Sequence, residues 1–79
     1  GGEKGAAWTT ATGHAVGLGI VAADPKTFPY HSRMFIQSYG MGQVEDTGGM
    51  KGNVIDVWFP SYSDCVSWGR RNVTVWLLD

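Results

Sequence analysis

The stretch Asp46-Thr47-Gly48-Gly49-Met50-Lys51-Gly52-Asn53-Val54-Ile55-Asp56-Val57-Trp58-Phe59 decides how this chain is read. Its second half, Val54 to Phe59, is rich in β-branched and aromatic residues and reads as a strand, a setting that disfavours Asp. Asp56 at its centre therefore needs a local reason, and period-two alternation puts it on one face with Val54 and Trp58. The first half supplies a second carboxylate, Asp46, followed by the Gly48-Gly49 pair, which frees the backbone to turn sharply. Two carboxylates within several ångströms repel one another, and with partial burial one of them stays protonated near neutrality, fit for general acid catalysis.

Outward from this stretch, Met41 to Glu45 leads into Asp46. Trp8 to Thr12 reads as a short strand closed by Gly13, and Leu18 to Ala23 as an apolar run stopped by Asp24-Pro25. Phe28 to Ser32 is a turn. Arg33 to Ser38 then alternates, Met34 and Ile36 on one face, Arg33, Phe35 and Gln37 on the other, until Tyr39-Gly40 breaks it. Ser61 caps a short helix with Asp64 as capping-box partner, carrying Cys65, Val66 and Trp68 until Gly69 ends it. In a final strand Val73, Val75 and Leu77 alternate with Thr74, Trp76 and Leu78. About six strands and one helix result, with tight turns at many of the 12 glycines. The expected class is all-β, and closure into a barrel would remove exposed edges. Residues 1–7 carry no pattern and are expected to be a disordered or vector-derived end, with the domain over residues 8–79.

A chain of 79 residues forms one small domain, so any active site is a surface groove. A net charge of −1 and only six Lys and Arg, with Arg70-Arg71 the one adjacent pair, lack the basic footprint of nucleic-acid binding. Sugars and peptides are the better ligands. Cys65 is the single cysteine, which excludes an intramolecular disulfide or zinc cluster, and is expected to be a small buried hydrophobe. His14 and His31 have no second ligand at metal-binding spacing and read as surface or hydrogen-bonding groups, so neither metal nor cofactor is expected. Ser61 and Ser63 are helix-start residues rather than nucleophiles. No run approaches the roughly 20 apolar residues of a membrane-spanning helix, and no signal peptide is expected.

Three acids, Asp24, Asp46 and Asp56, occur at or next to strands, and barrel closure would bring them together. Each also has a structural reading. Asp24 before Pro25 is a common turn arrangement, Asp46 beside glycines stabilises a turn, and a solvent-facing strand position would accommodate Asp56. The chemistry that paired carboxylates suit is cleavage of a glycosidic bond, in which the leaving oxygen must be protonated.

The series Ala11-Thr12-Gly13, Val21-Ala22-Ala23-Asp24-Pro25, Glu45-Asp46-Thr47-Gly48-Gly49, Lys51-Gly52-Asn53 and Ile55-Asp56, extending through Trp68-Gly69-Arg70-Arg71, resembles the three-aspartate (3D) domain of bacterial cell-wall enzymes. That domain is similar to the catalytic domain of the membrane-bound lytic transglycosylase A family. The resemblance covers Trp8 to Leu78 and implies a small six-stranded double-psi β-barrel with one short helix. It implies a secreted or cell-envelope lyase, a peptidoglycan lytic transglycosylase cutting the β-1,4 bond between N-acetylmuramic acid and N-acetylglucosamine. In that reaction the muramyl C6 hydroxyl closes onto C1 and leaves a 1,6-anhydro end. By position Asp56 matches the general acid and base, Asp46 its close partner, and Asp24 an accessory. Thr12, Gly48, Gly49 and Lys51 would bind substrate. Tyr39, Trp58 and Tyr62 would offer sugar-stacking faces, with core or rim packing as the other reading of each.

The implied partners are peptidoglycan glycan strands, not nucleic acid. Met50 stands where the family has an Ala-Ile pair, so the loop between the two acids is one residue shorter. A first strand upstream of Trp8 is missing, leaving an edge that an upstream segment of the parent protein, or strand exchange with a second copy, would complete. Two other functions compete. One is a non-catalytic wall-polysaccharide-binding module on the same barrel, as in expansin-like proteins. The other is an aspartic-protease half-site, because Asp46-Thr47-Gly48 matches that active triplet. Glu45 stands where the proteases have an apolar residue, and Asp56 would be left without a task.

Overall fold

Apolar runs of the chain become short strands, and glycine or proline clusters become the turns between them. The computed structural model describes residues 9–78. Among them, β1 (Ile20–Ala23), β2 (Arg33–Ile36), β3 (Gly40–Asp46), β4 (Ile55–Val57), α1 (Tyr62–Trp68) and β5 (Val75–Leu78) follow in order. The strands form one sheet, ordered β4-β1-β3-β2-β5. β1 and β3 run parallel, and the other neighbours pair antiparallel.

The alternation in β2 sets the two faces of the sheet. Met34 and Ile36 are fully buried, whereas Arg33 and Phe35 are exposed. Val21 and Ala23 of β1, Val44 of β3 and Val57 of β4 complete the core, with Phe28, Tyr39, Phe59, Trp68 and Val75 packed partly buried against it. Gly42 is required where β3 crosses this core. A Cβ there would lie 2.7 Å from Val21 Cγ2 and 3.0 Å from Ile36 Cδ1, closer than side chains pack without displacement.

Helix α1 starts and stops where the sequence indicates. Ser61 Oγ accepts the Asp64 N–H at 3.2 Å, and Gly69, at φ 57°, closes the last turn by donating to the Cys65 carbonyl. The helix buries none of its residues. It is tied to the body through half-buried Trp68, whose ring meets those of Phe59 and Tyr39 at centroid distances of 5.4 and 6.0 Å. Cys65 is consequently exposed, not the buried hydrophobe its residue type led us to expect.

The expected six-stranded closed barrel is not what the described residues form. They give a mostly β structure with one short helix, five strands in an open order, and β4 and β5 as its edges. The difference lies at Trp8 to Thr12. Trp8 is outside the described residues, as is the end expected over residues 1–7, and Thr9 forms an isolated bridge to Ala15. Thr10 N–H donates to the His14 carbonyl at 2.7 Å, while the Thr10 hydroxyl accepts the His14 N–H at 3.1 Å. These local bonds fold Thr10 to His14 into a turn instead of extending it along the sheet.

Candidate functional site

β1 lies between β3 and β4, and its Ala22 is flanked in register by Asp46 on one side and Asp56 on the other. A β-bulge creates this row. Val21 pairs with Val44 but Ala22 pairs with Asp46, so Glu45 is an extra residue. In an unbroken strand Asp46 would share the core face of Val44. The extra residue instead turns Asp46 to the outer face, beside Ala22 and Asp56. Adjacent strands lie about 5 Å apart, so the two aspartate Cα atoms are about 10 Å apart, separated by the methyl group of Ala22. Both acids line a cleft of about 260 Å³ together with Val16, Trp58, Phe59 and Cys65.

The two carboxylates differ in how far they are already committed. Asp46 is half-buried, and its Oδ1 accepts the N–H groups of Ala11 and Thr47 at 3.2 and 2.9 Å. Asp56 is exposed and accepts no bond among the described residues. Asp56 thus takes the solvent-facing strand position that is the other reading of it, on a face with exposed Val54 and half-buried Trp58.

Asp24 does not join the pair and lines neither this cleft nor the larger cavity between β4 and β5. Its oxygens accept the N–H groups of Lys26 and Gly52, each at 3.0 Å, tethering the turn after β1 to the turn before β4. The Gly52 bond first and the Lys26 bond second hold its carboxyl below the usual value, with smaller help from the Lys51 and Lys26 charges against a slight opposing effect of burial. Lys51 itself is exposed. Gly48 and Gly49 take φ values of 47° and 73° in the turn that Met50 N–H closes on the Thr47 carbonyl at 2.7 Å. A Cβ on Gly48 would come 3.4 Å from the Ala22 Cβ, so the turn folds down beside the cleft floor.

Tyr39 is a strut. Its hydroxyl accepts the Gly19 N–H at 2.8 Å and donates to the Trp58 carbonyl at 2.7 Å, and its ring meets Phe59 edge-on. This leaves Trp58, of the three expected stacking residues, in the cleft wall. Tyr62 is exposed on α1 and lines neither cavity.

Thr12 is committed to a residue that sequence reasoning passed over, Glu45. Although fully buried, the Glu45 carboxylate accepts bonds from the Thr12 hydroxyl and from Gln43 Nε2 at 2.6 Å, with His31 Nδ1 at 3.0 Å and His14 Nε2 at 3.6 Å. Burial pushes its carboxyl up, but the bonds from Thr12, Gln43 and His31, with the charge of His14, outweigh it and bring the value down to about 2. The Thr12 N–H also donates to the Glu45 carbonyl at 3.2 Å. Glu45 thereby fastens the Thr10 to His14 turn onto β3, and that turn carries the Ala11 N–H held against Asp46. The signal was available: adjacent acids at a strand end cannot both face solvent under strict alternation, and two histidines had no other task.

A larger cavity of about 620 Å³ lies between the edges β4 and β5, lined by Phe28, Ile55, Asp56, Trp68, Arg70 and Val73 among others. Arg71, also in its wall, is locked over the Trp68 ring at 4.3 Å and donates to the carbonyls of Trp68 and Ser67. Asp56 thus stands at the junction of two cavities.

A small β-sheet domain with an acid-lined cleft on its outer face is the class that these features define. The chain belongs to the 3D domain family, whose sequence pattern matches residues 19–79. Over 61 residues it is 43% identical to the cell wall-binding protein YocH of Bacillus subtilis (strain 168), covering 76% of this chain and 21% of that protein. It is 38% identical, also over 61 residues, to the putative cell wall shaping protein YabE of the same organism, covering 76% of this chain and 15% of that protein. The matched region thus spans about a fifth or less of these relatives' length.

Proposed function

We propose that this domain binds cell-wall glycan at the cell envelope, in the cleft over Ala22. The observation that carries this is the convergence of Asp46 and Asp56 on one cleft walled by Trp58 and Phe59. Carboxylates accept sugar hydroxyls, and aromatic walls receive the apolar face of a sugar ring. Relatives named for wall binding and wall shaping support the wall as the source of ligand.

A second reading, cleavage of that glycan, is favoured by the contrast between an anchored Asp46 and an unengaged Asp56. Asp56 would pass its proton to the oxygen between N-acetylmuramic acid and N-acetylglucosamine as the bond from C1 to that oxygen breaks. The muramyl C6 hydroxyl would then attack C1 and return its proton to Asp56, leaving a 1,6-anhydro end. The edges β4 and β5 leave room for a strand from the parent protein or a second copy, which would complete a barrel.

The test is to incubate the purified chain with purified peptidoglycan, measuring the bound fraction and the muropeptides released. Binding without 1,6-anhydro product identifies a binding module. Product that disappears in Asp56→Asn while binding persists identifies a lytic transglycosylase. Failure to bind defeats both readings.

A further inference from the structure

We propose a second glycan-contact surface, an aromatic platform on the outer face of β3, β2 and β5. It rests on the reading that the ligand is wall glycan, but it uses none of the residues of the acid cleft. Phe35 pairs in register with Met41 on β3 and with Trp76 on β5. Cross-strand partners share a face, so the three side chains form one row across three strands. The row faces away from the core, since its β2 neighbours Met34 and Ile36 point inward. Met41 is 51%, Phe35 44% and Trp76 51% exposed. The Phe35 and Trp76 rings lie side by side, centroids 5.8 Å apart and planes at 52°.

The surroundings of the row favour a sugar. On one side is Arg33, exposed, its guanidinium without a hydrogen bond or ion pair among the described residues. On the other is Gln37, whose side-chain oxygen accepts the Thr74 N–H at 3.0 Å. An apolar stripe one residue wide, bordered by a free guanidinium and an amide, suits a pyranose, whose C–H face stacks on the rings while its rim hydroxyls bond to the border. A second copy of this chain is a poorer occupant. Three half-exposed side chains offer roughly 300 Å², well short of the about 800 Å² per partner in a stable interface.

Proximity to the cleft supports the same ligand. Met41 and Asp46 occupy the outer face at opposite ends of β3, roughly 15 Å apart along the strand. An extended polymer can span that distance by passing the Thr10 to His14 turn that is held on Glu45.

The test measures affinity for peptide-stripped peptidoglycan glycan strands by calorimetry, with sedimentation velocity alongside. Phe35→Ala and Trp76→Thr are expected to weaken binding about tenfold, and Trp76→Tyr, which keeps a ring, to stay within about twofold of the parent chain. Urea unfolding of each variant establishes that a folded domain was measured, and Trp76→Tyr against Phe35→Ala carries the comparison if the threonine variant is unfolded. Parent-like affinity in both Phe35→Ala and Trp76→Thr overturns the platform alone. So does a parent dimer that these variants dissociate with glycan affinity unchanged. A parent chain with no affinity for the strands overturns both the platform and the wall-glycan reading.

Discussion

The two ends of β3 differ in one residue of register, and that residue changes what the sheet offers to solvent. From Gly40 to Gln43 the strand pairs with β2 without interruption, so its outer face continues the apolar row of Phe35 and Trp76. At Glu45 the bulge against β1 brings two acids in succession to the strand end, one buried as an anchor and the next turned beside Ala22. Regular pairing leaves a flat apolar surface, whereas the bulge builds a polar cleft. The carboxylates around it form a gradient of commitment. Glu45 is fully engaged by protein donors, Asp46 partly, and Asp56 not at all among the described residues. Only the last is entirely available to a ligand.

The strongest way to break this contrast is at Glu45. Glu45→Ala strands the groups that bonded to it and is expected to cost about 3 kcal/mol by urea unfolding, while the Ala11 amide resonance shifts as the Thr10 to His14 turn loosens. Acid should act in the same direction. The Glu45 carboxyl titrates at about 2 when folded against an ordinary 4.5. Between those values the unfolded chain holds a proton that the folded chain does not. Its stabilisation is therefore intact above pH 4.5 and lost as the pH falls toward 2. Urea midpoints measured across this window should fall in the parent chain and flatten in Glu45→Gln.

At the regular end, Gly42→Ala forces a methyl against Val21 and Ile36 and is expected to cost about 2 kcal/mol, again read from urea unfolding. A neutral outcome would mean that the core face of β3 is looser than its register implies. Tyr39→Phe removes the bonds to Gly19 and Trp58 while keeping the ring stack, for an expected loss of about 1 kcal/mol. Asp56→Asn should change stability least, within about 0.5 kcal/mol, because the carboxylate has no partner among the described residues to lose. A larger loss would place Asp56 in the structural group with Glu45.

Local features were the legible ones. Arg33 to Ile36 shows its faces by alternation, and Ser61 with Gly69 bounds the helix by capping chemistry, both decided within a few residues of sequence. Asp24 before Pro25 carried its turn reading on its face, and the structure adds the long-range tether to Gly52. The bulge was not legible, because register depends on a partner strand more than twenty residues away. The burial of Glu45 follows from that register, although the adjacent acids and the two histidines hint at it. The sequence offers both stacking and core packing for Tyr39, since nothing local announces that its hydroxyl will bridge Gly19 and Trp58. Composition reads Trp8 to Thr12 as a strand, whereas Thr10 bonding to His14 makes what is described of it a local loop. The aromatic platform could not be seen at all, since Met41, Phe35 and Trp76 are brought together only by pairing.

The most direct test of the central claim is an amide chemical-shift titration of the isotopically labelled chain with peptide-stripped glycan oligomers. The cleft reading predicts saturable shifts centred on Ala22, Asp46, Asp56 and Trp58, diminished in Asp56→Ala. A titration that reaches saturation, or high glycan concentration, with those four amides unmoved would contradict it.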